Sequence, residues 1–407
     1  ALRRENGDVE VCLRSEETDF HADHFRAVCR FAPPGKTPGP RLSLSPFESE
    51  HLPLDPQKDL YGRILFHRGR FCRLRGYQLL TAKECVAEIA EDDAAVWFGP
   101  YLPAEFVLGN PAARDAALHA IQACIPHRRI LPTGIERLAI FRNEAGAHFV
   151  RAKERRREGD TFIYDVEVTD SRGEVIERWD GLRLRAVETM PAHGAWPDSL
   201  LAPYLERRLE ELAEASVPAR IALERGRREN RPTRSDTVIQ RALGRPARIW
   251  RRPDGKPVCH GEEGISAAHA GDFTLALVAA DGAACDLEEV AVRTETVWHD
   301  LLGAEKFDLA GRIADERVES LDTAATRLWT AMECLKKIGQ PVASPLVLAA
   351  NTPDGWTLLR SGPITISTCV AAVRGMKSPL GIAVASRSRT ASPPAPGHPS
   401  VAGKPGV

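Results

Sequence analysis

One short helical segment lies among many strand-like runs in the first half of this chain, and this arrangement constrains the fold more than any other feature. The helix is predicted over residues 111–125. Turns containing glycine and aspartate separate several of the strand-like runs at hairpin spacing. The runs span residues 9–13, 25–31, 63–66, 78–89, 95–98, 138–142, 148–154, 161–169 and 181–187. One helix wrapped by successive strands predicts an α+β architecture.

The length of the chain predicts more than one domain, because 407 residues exceed what one ordinary hydrophobic core organises. The predicted parts are a strand-rich unit (1–190), a linker and helix (191–215), a second α/β unit (216–375) and a disordered tail (376–407). The tail is mostly Ser, Pro, Gly and Ala, a composition that cannot bury a core. The clearest helix of the second unit is predicted over residues 322–338, with Asp322 as its N-cap and Gly339 just past its end.

Charge and cysteine content bear on partners and location. With 55 Lys+Arg against 56 Asp+Glu, no net charge attracts a polyanion, so nucleic acid is not expected as a partner. No signal peptide and no apolar run of membrane-spanning length is recognisable, so no membrane partner is expected. The nine scattered cysteines form no C-x-x-C pair, which fits a reducing cytoplasm. Because strand-like sequence begins so close to Ala1, we expect a fragment of a longer protein.

Four charged side chains of the second unit have spacings that could bring them together. Asp286 and Glu288 alternate along a predicted strand and project from one face. Glu333 and Lys337 lie four residues apart on the predicted helix and share its face. If strand and helix pack together, three carboxylates converge with one ammonium, and oxygen ligands of this kind suit Mg²⁺. Each pair alone has a simpler interpretation, as a solvated strand end and as a surface pair on a helix.

These residues and two upstream motifs resemble the signatures of phosphopantetheinyl transferases. The upstream motifs are Gly255-Lys256-Pro257 and Ala268-His269-Ala270-Gly271, and the resemblance covers roughly residues 216–374. It implies an enzyme that transfers 4′-phosphopantetheine from coenzyme A to a serine of an acyl carrier protein. Ala284 and Met332 depart from the family motifs, and we expect these departures to affect affinity more than chemistry.

The resemblance also implies a role for each matched residue. The Mg²⁺ ligands would be Asp286, Glu288 and Glu333. Glu333 would in addition take the proton of the serine, and Lys337 would stabilise the oxygen of the departing 3′,5′-ADP. His269 and Lys256 would contact the phosphates of coenzyme A.

A second set of motifs lies in the first unit. It consists of Tyr61-Gly62-Arg63-Ile64-Leu65-Phe66, then Asn110-Pro111 followed by Asp115 and His119, then Leu131-Pro132. This order resembles the second hot-dog half of polyketide synthase dehydratases over about residues 9–188. The residue order within these motifs looks most like that of enediyne-type iterative synthases, which also carry a C-terminal transferase. Asn110 departs from the family pattern, which has a histidine there.

By this resemblance, Asp115 is a general acid toward the β-hydroxyl leaving group and His119 helps to orient it. The histidine that abstracts the α-proton would belong to a first hot-dog half, and none of the 12 histidines here lies in its motif. The chain alone is therefore not expected to dehydrate a substrate. The simpler interpretation is an aspartate favoured by the helix dipole beside a structural histidine. His67 and His127 have no partner at ligand spacing and are predicted to be surface or core residues.

Three functions stay open. The leading one is a magnesium-dependent transferase fused to an incomplete dehydratase, with coenzyme A, an acyl carrier protein and the remainder of a polyketide synthase as partners. The second is dehydration as the main activity of the parent protein, with a degenerate transferase domain. The third is a non-catalytic module that docks carrier domains. The carboxylates of Asp286, Glu288 and Glu333 favour the first, because a docking surface needs no metal site.

Overall fold

A computed structural model describes residues 1–31, 51–90, 109–142, 146–190, 194–212, 219–226, 231–261, 264–279 and 282–387. The chain begins with three short strands, β1 (Leu2–Arg3), β2 (Val9–Leu13) and β3 (Phe25–Cys29). They form a small antiparallel sheet in the order β1-β2-β3. Leu13 and Phe25 pair across this sheet and are both exposed, so this pair adds little to a buried core.

A larger sheet follows and holds one helix against its face. The elements here are α1 (Pro56–Asp59), β4 (Leu74–Leu80), β5 (Glu84–Ile89), α2 (Pro111–Gln122), β6 (Arg128–Gly134), β7 (Arg137–Ile140), β8 (Phe149–Glu158), β9 (Thr161–Thr169) and β10 (Val175–Thr189). The seven strands pair antiparallel in the order β4-β5-β8-β9-β10-β6, and β7 also pairs with β10. This is the α+β plan predicted for the first unit, with α2 as its predicted helix.

Helix α2 begins at a capping residue and buries a face of small side chains. The side chain of Asn110 accepts hydrogen bonds from the amides of Ala112 (2.9 Å) and Ala113 (3.3 Å). Pro111 stands in the first turn, where a backbone N–H has no helical partner. The buried small residues of this helix are Ala112, Ala116, Ala117 and Ala120. Because alanines let the helix approach the sheet closely, Phe162 and Tyr164 of β9 pack in the same core.

Helix α3 (Asp198–Leu212) contacts both halves of the chain. On one side the guanidinium of Arg207 is fully buried and donates to the hydroxyl of Tyr164 at 3.0 Å. On the other side the hydroxyl of Tyr204 accepts a hydrogen bond of 2.9 Å from the indole N–H of Trp356. The predicted linker and helix over residues 191–215 therefore include an ordered helix that ties the large sheet to the C-terminal unit.

The carboxyl group of Glu206 on α3 is buried, and burial raises its pKa from the usual 4.5 to about 7. A hydrogen bond of 3.1 Å from the amide of Ile221 works in the opposite direction. Because the folded-state pKa is raised, the stability that this group contributes is present below the unfolded pKa and is lost as pH rises through about 7.

Replacing Glu206 by Gln should therefore stabilise the protein relative to wild type as the pH rises from about 5 to about 8. The difference in free energy of unfolding should grow by at most about 1.4 kcal/mol per pH unit. Urea unfolding at several pH values measures it. Glu188→Gln is the control, because Glu188 is exposed and pairs with the half-buried Arg129. A difference between Glu206→Gln and wild type that does not change with pH contradicts the prediction.

The C-terminal unit combines helices with antiparallel sheets. Its elements are β11 (Arg220–Arg225), α4 (Arg231–Leu243), β12 (Ile249–Arg251), β13 (Pro257–Cys259), β14 (Gly264–Ala270), β15 (Phe273–Ala279), β16 (Ala284–Glu289), α5 (Glu295–Leu302), α6 (Ala304–Arg317), α7 (Leu321–Lys337), β17 (Val347–Asn351), β18 (Trp356–Ser361), β19 (Ile364–Ala371) and β20 (Leu380–Arg387). The sheets have the orders β11-β15-β14, β12-β13 and β16-β20-β19-β18-β17. Helix α4 packs on the first of these and α7 on the last.

Helix α7 confirms the helix predicted over residues 322–338, but its cap differs. The N-cap is Ser320, whose hydroxyl accepts from the amide of Thr323. Asp322 instead accepts a hydrogen bond of 2.7 Å from the indole of Trp298 on α5. Gly339 follows the helix with φ of +80°, a left-handed conformation that favours glycine.

The prediction of a disordered tail from residue 376 is wrong for its first part. Strand β20 pairs with both β16 and β19, so it is a central strand of the last sheet. Leu380, Ile382 and Val384 are buried in its core. The average composition of residues 376–407 concealed this short apolar run, while residues 388–407 lie outside the described part of the chain.

Two of the predicted strands also differ from the observed structure. The run predicted over residues 78–89 is divided by a turn into β4 and β5. Of the run predicted over residues 63–66, the first two residues lie in a turn and Leu65 forms an isolated bridge with Tyr61. The strand predicted over residues 95–98 lies outside the described residues. Of the helices in the described ranges, none has both the length and the apolar character needed to cross a bilayer.

Candidate functional site

A cluster of two histidines and one aspartate lies beside α2. Asp115 and His119 share a face of this helix as predicted, and His119 Nε2 lies 3.0 Å from Asp115 Oδ2. His67 comes from the loop before β4, and its Nε2 lies 3.7 Å from the same oxygen. The two imidazole rings are in contact, with centroids 3.6 Å apart. In the sequence His67 has no partner at ligand spacing and was predicted to be a surface or core residue, but the fold brings Asp115 and His119 next to it.

Burial differs across this cluster. The side chain of His119 is 3% exposed, whereas those of His67 and Asp115 are 19% and 28% exposed. Burial and the neighbouring His119 lower the pKa of His67, and the carboxylate of Asp115 opposes them. Asp115 is thus the group that solvent or a ligand reaches most readily, and the buried ring of His119 stands behind it.

Tyr61 supports the buried side of the cluster. Its hydroxyl oxygen accepts hydrogen bonds from the amides of Arg73 (3.1 Å) and Leu74 (3.2 Å) and lies 3.4 Å from Nδ1 of His119. Burial raises the pKa of Tyr61 to about 12, so the hydroxyl keeps its proton at neutral pH. Gly62, with φ of +76°, makes the turn after it. The motif that begins at Tyr61 ends one residue before His67, and this was the sequence signal that could have identified both residues.

The second predicted site is built around an ion pair between α7 and β16. The ammonium of Lys337 donates to Asp286 Oδ1 at 2.7 Å and to the carbonyl of Cys285 at 2.8 Å. Burial raises the pKa of Asp286 to about 6, although Lys337 lowers it. The other carboxylate oxygen, Oδ2, is buried and has no hydrogen-bond partner. Strand and helix therefore pack together as the prediction required.

The carboxylates of Glu288 and Glu333 have partners other than Asp286 and Lys337. The indole N–H of Trp329 is 3.4 Å from a carboxylate oxygen of Glu288, and Glu333 pairs with Lys336 at 3.5 Å. Both carboxylates are close enough to Asp286 to raise its pKa. Among the described residues, however, the group of three ligand side chains with atoms within 4.8 Å of one another is His67, Asp115 and His119. The three predicted Mg²⁺ ligands do not form so compact a group.

The two residues predicted to contact coenzyme A are held by neighbouring groups. The ring nitrogens of His269 lie 2.9 Å from the hydroxyls of Ser235 and Thr274. The ammonium of Lys256 lies 3.3 Å from the carbonyl of Lys337 at the end of α7. Lys256 is therefore near the Asp286–Lys337 pair, and the present partners of His269 would have to give way to a phosphate.

Comparison with known proteins bears on the first half of the chain. Residues 44–192 match the family model described as the polyketide synthase dehydratase N-terminal domain. This part of the chain has the α+β hot-dog fold of such dehydratases, with α2 against the antiparallel sheet. The match makes this part similar to dehydratase domains of the polyketide synthase type, over less than half of the chain. The matched range contains Asp115, His119, His67 and Tyr61, and it ends well before Asp286. No curated protein matches the chain.

Solved dehydratase domains are also similar to the chain. The dehydratase domain from the CurF module of curacin polyketide synthase is 19% identical, with 46% of this chain and 66% of that chain covered and a TM-score of 0.34. A trans-AT dehydratase domain from Brevibacillus brevis is 15% identical, with coverages of 46% and 68% and a TM-score of 0.32. The dehydratase domain of a mycocerosic acid synthase-like enzyme is 21% identical, with coverages of 40% and 59% and a TM-score of 0.31. The matches thus cover 59–68% of these relatives.

Proposed function

We propose that the hot-dog domain dehydrates β-hydroxyacyl chains bound to an acyl carrier protein of a polyketide synthase. The observation that carries the proposal is the pair of Asp115 and His119 on the central helix of the region that matches the dehydratase family. The substrate, the carrier protein and the remaining synthase domains are parts of this proposal. Placement in the second hot-dog half rests on the motif order alone, whereas the matching family model is described as an N-terminal domain. The enediyne type also stays a prediction.

The arrangement supports a general-acid role for Asp115. As a carboxylic acid it would pass its proton to the β-hydroxyl, so that the C–O bond breaks and water leaves. Its Oδ2 faces His119, whose ring is kept in place by Tyr61 and by contact with His67. The α-proton leaves to a base as the C=C bond forms, and the resemblance assigns this base to a histidine of a first hot-dog half.

Mass spectrometry of the carrier protein tests this function. In the intact synthase, a carrier loaded with a β-hydroxyacyl chain should lose the mass of one water and gain an unsaturated acyl group. Because dehydration is reversible, an enoyl-loaded carrier should also gain water. Absence of both conversions from a folded synthase would show that this domain does not dehydrate such chains.

We also propose a second function, phosphopantetheinyl transfer by the C-terminal unit, which the buried pair of Asp286 and Lys337 between β16 and α7 favours. Asp286 Oδ2 is a buried carboxylate oxygen without a hydrogen-bond partner, and the charges of Glu288 and Glu333 both raise the pKa of Asp286. These oxygen donors fit Mg²⁺, which would neutralise charge on the pyrophosphate of coenzyme A. Lys337 holds Asp286 in place from the other side. Lys256 and His269 stay candidates for contacts with coenzyme A.

Replacing Asp286 by Asn tests the transferase proposal. We expect an apo carrier protein, incubated with the chain, coenzyme A and Mg²⁺, to gain the mass of one phosphopantetheine. Asp286→Asn should lower the rate more than about 100-fold, because even residues that only support a metal ligand can contribute that much. The amide keeps an oxygen for Lys337, so the fold should be retained. Asp308→Ala, on the exposed face of α6, is the control.

The same experiment separates transfer from docking. If the carrier protein binds the chain but gains no mass with any of several carriers, the transferase proposal is wrong and the docking alternative is favoured. If Mg²⁺ chelation leaves the transfer rate unchanged, the metal site is wrong even if the transfer is real.

A further inference from the structure

We propose that His67, Asp115 and His119 form a binding site for a divalent transition-metal ion of the zinc type. The three side chains present ligand atoms that all lie within 4.8 Å of one another. They come from two separate parts of the chain, the loop before β4 and helix α2. The donor set of two imidazoles and one carboxylate is one that zinc, cobalt and nickel bind and that magnesium and calcium do not favour.

The distances are close to those that a bound ion requires. Zinc binds nitrogen and oxygen at about 2.0–2.2 Å, so two ligand atoms at tetrahedral positions lie about 3.3–3.6 Å apart. Asp115 Oδ2 lies 3.0 Å from His119 Nε2 and 3.7 Å from His67 Nε2, values on either side of this range. Movements of a few tenths of an ångström would therefore bring Asp115 Oδ2 to ligand spacing with each histidine, and all three ligand atoms already lie within 4.8 Å of one another.

The buried nitrogen of His119 provides an independent indication. His119 Nε2 is buried and makes no hydrogen bond, although Asp115 Oδ2 is only 3.0 Å away. The short distance without hydrogen-bond geometry means that the ring nitrogen does not point along the line to the oxygen. A buried nitrogen without a partner is costly, and a metal ion between the nitrogen and the oxygen would remove that cost.

The surroundings of the cluster suit a metal ligand. Tyr61 lies 3.4 Å from Nδ1 of His119, and a polar partner at the second nitrogen is the usual way to fix a ligating imidazole. Asp115 and His67 are partly exposed, which gives an ion a path to the site. Three protein ligands leave a fourth position open, which water or a substrate oxygen could fill.

The site would also regulate the proposed dehydratase, and this consequence rests on that proposed function. A metal ion on Asp115 occupies the oxygen and excludes the proton that general-acid catalysis needs. Bound zinc should therefore inhibit dehydration, and a chelator should restore it. Metal binding itself does not depend on this consequence, because it requires only the three ligands.

Titration of the full chain with Co²⁺ tests the binding site, with the visible absorption of the metal as the readout. We expect one ion per chain, in competition with Zn²⁺ but not with Mg²⁺, and without the thiolate charge-transfer band that binding by a cysteine would produce. His67→Gln should weaken binding at least about 10–100-fold, the loss typical of removing only a supporting partner. His148→Gln is the control, since His148 is a half-buried histidine away from the cluster that faces Glu88.

The possible outcomes test the metal site and the proposed dehydratase function separately. Absence of one-to-one binding by the folded chain, or equal binding by His67→Gln, overturns the metal site. Circular dichroism of His67→Gln checks that the fold is kept. If the ion binds as expected but the intact synthase shows no dehydration after chelation, the metal site stands and the proposed dehydratase function fails.

Discussion

Replacing Asp115 by Asn should lower the rate of dehydration by about 10²–10⁴-fold, the usual contribution of a positioned general acid. Asparagine has nearly the same shape, so its side chain can occupy the same place beside His119. It cannot, however, deliver a proton to a departing hydroxyl. The expected result is a large fall in the rate constant with the fold unchanged. The measurement is the conversion of a β-hydroxyacyl carrier to the enoyl form in the intact synthase, followed by mass spectrometry.

The design needs one control variant and one control condition. Asp160→Asn is the matched variant, because Asp160 is 61% exposed and pairs with Arg128 at the surface. Its rate should equal that of wild type. The assays should contain a chelator, because a metal ion on Asp115 would hide its contribution as an acid. If Asp115→Asn keeps its rate within about tenfold of wild type under these conditions, Asp115 is not the general acid.

The local spacing of residues made part of this site predictable. Asp115 and His119 lie four residues apart on a helix that the sequence predicts, so their contact follows from helical geometry. The contact of His67 with the same carboxylate does not follow from any local pattern. It depends on how the loop between α1 and β4 folds over α2, which is a tertiary arrangement. Two-residue and four-residue periodicities carry no information on such a contact.

The second site shows the same limit. Strand and helix periodicity placed Asp286 on a strand and Lys337 on a helix, and the prediction that the two elements pack was sound. The ion pair between Lys337 and Asp286 was not predictable, because the ammonium of Lys337 donates hydrogen bonds to one carboxylate and two backbone carbonyls that come from different strands. A buried ammonium needs several acceptors, and only the packed structure shows where these lie. The strand formed by residues 380–387 was missed because composition was averaged over a longer segment.

Replacing Arg207 by Met should lower the free energy of unfolding by about 3–5 kcal/mol, the usual cost of removing one partner of a buried ion pair. The side chain of Arg207 has no exposed surface, and that of its partner Glu154 is 4% exposed. The guanidinium also binds the hydroxyl of Tyr164 and the carbonyls of Ala82 and Cys124. Methionine fills much of the volume but leaves the carboxylate of Glu154 buried without its cation.

The control variant separates burial from the loss of charge. Arg156→Met removes an arginine whose side chain is 46% exposed and which pairs with the equally exposed Glu158. Surface pairs of this kind contribute about 0–1 kcal/mol, so the expected change is small. Urea unfolding of both variants, with the slope of the transition checked for a shared unfolded state, measures the difference.

A double variant shows whether the cost arises from the unpaired carboxylate. Arg207→Met combined with Glu154→Gln removes the buried charge as well as its cation, and it should recover part of the loss, because breaking a buried pair is more costly than replacing both of its members. No recovery would mean that the carbonyls of Ala82 and Cys124 account for the effect.

Since Arg207 attaches α3 to the large sheet while Tyr204 attaches it to the C-terminal unit, the single variant should also let the two parts unfold in separate transitions. One cooperative transition in Arg207→Met would show that contacts other than those of Arg207 join them.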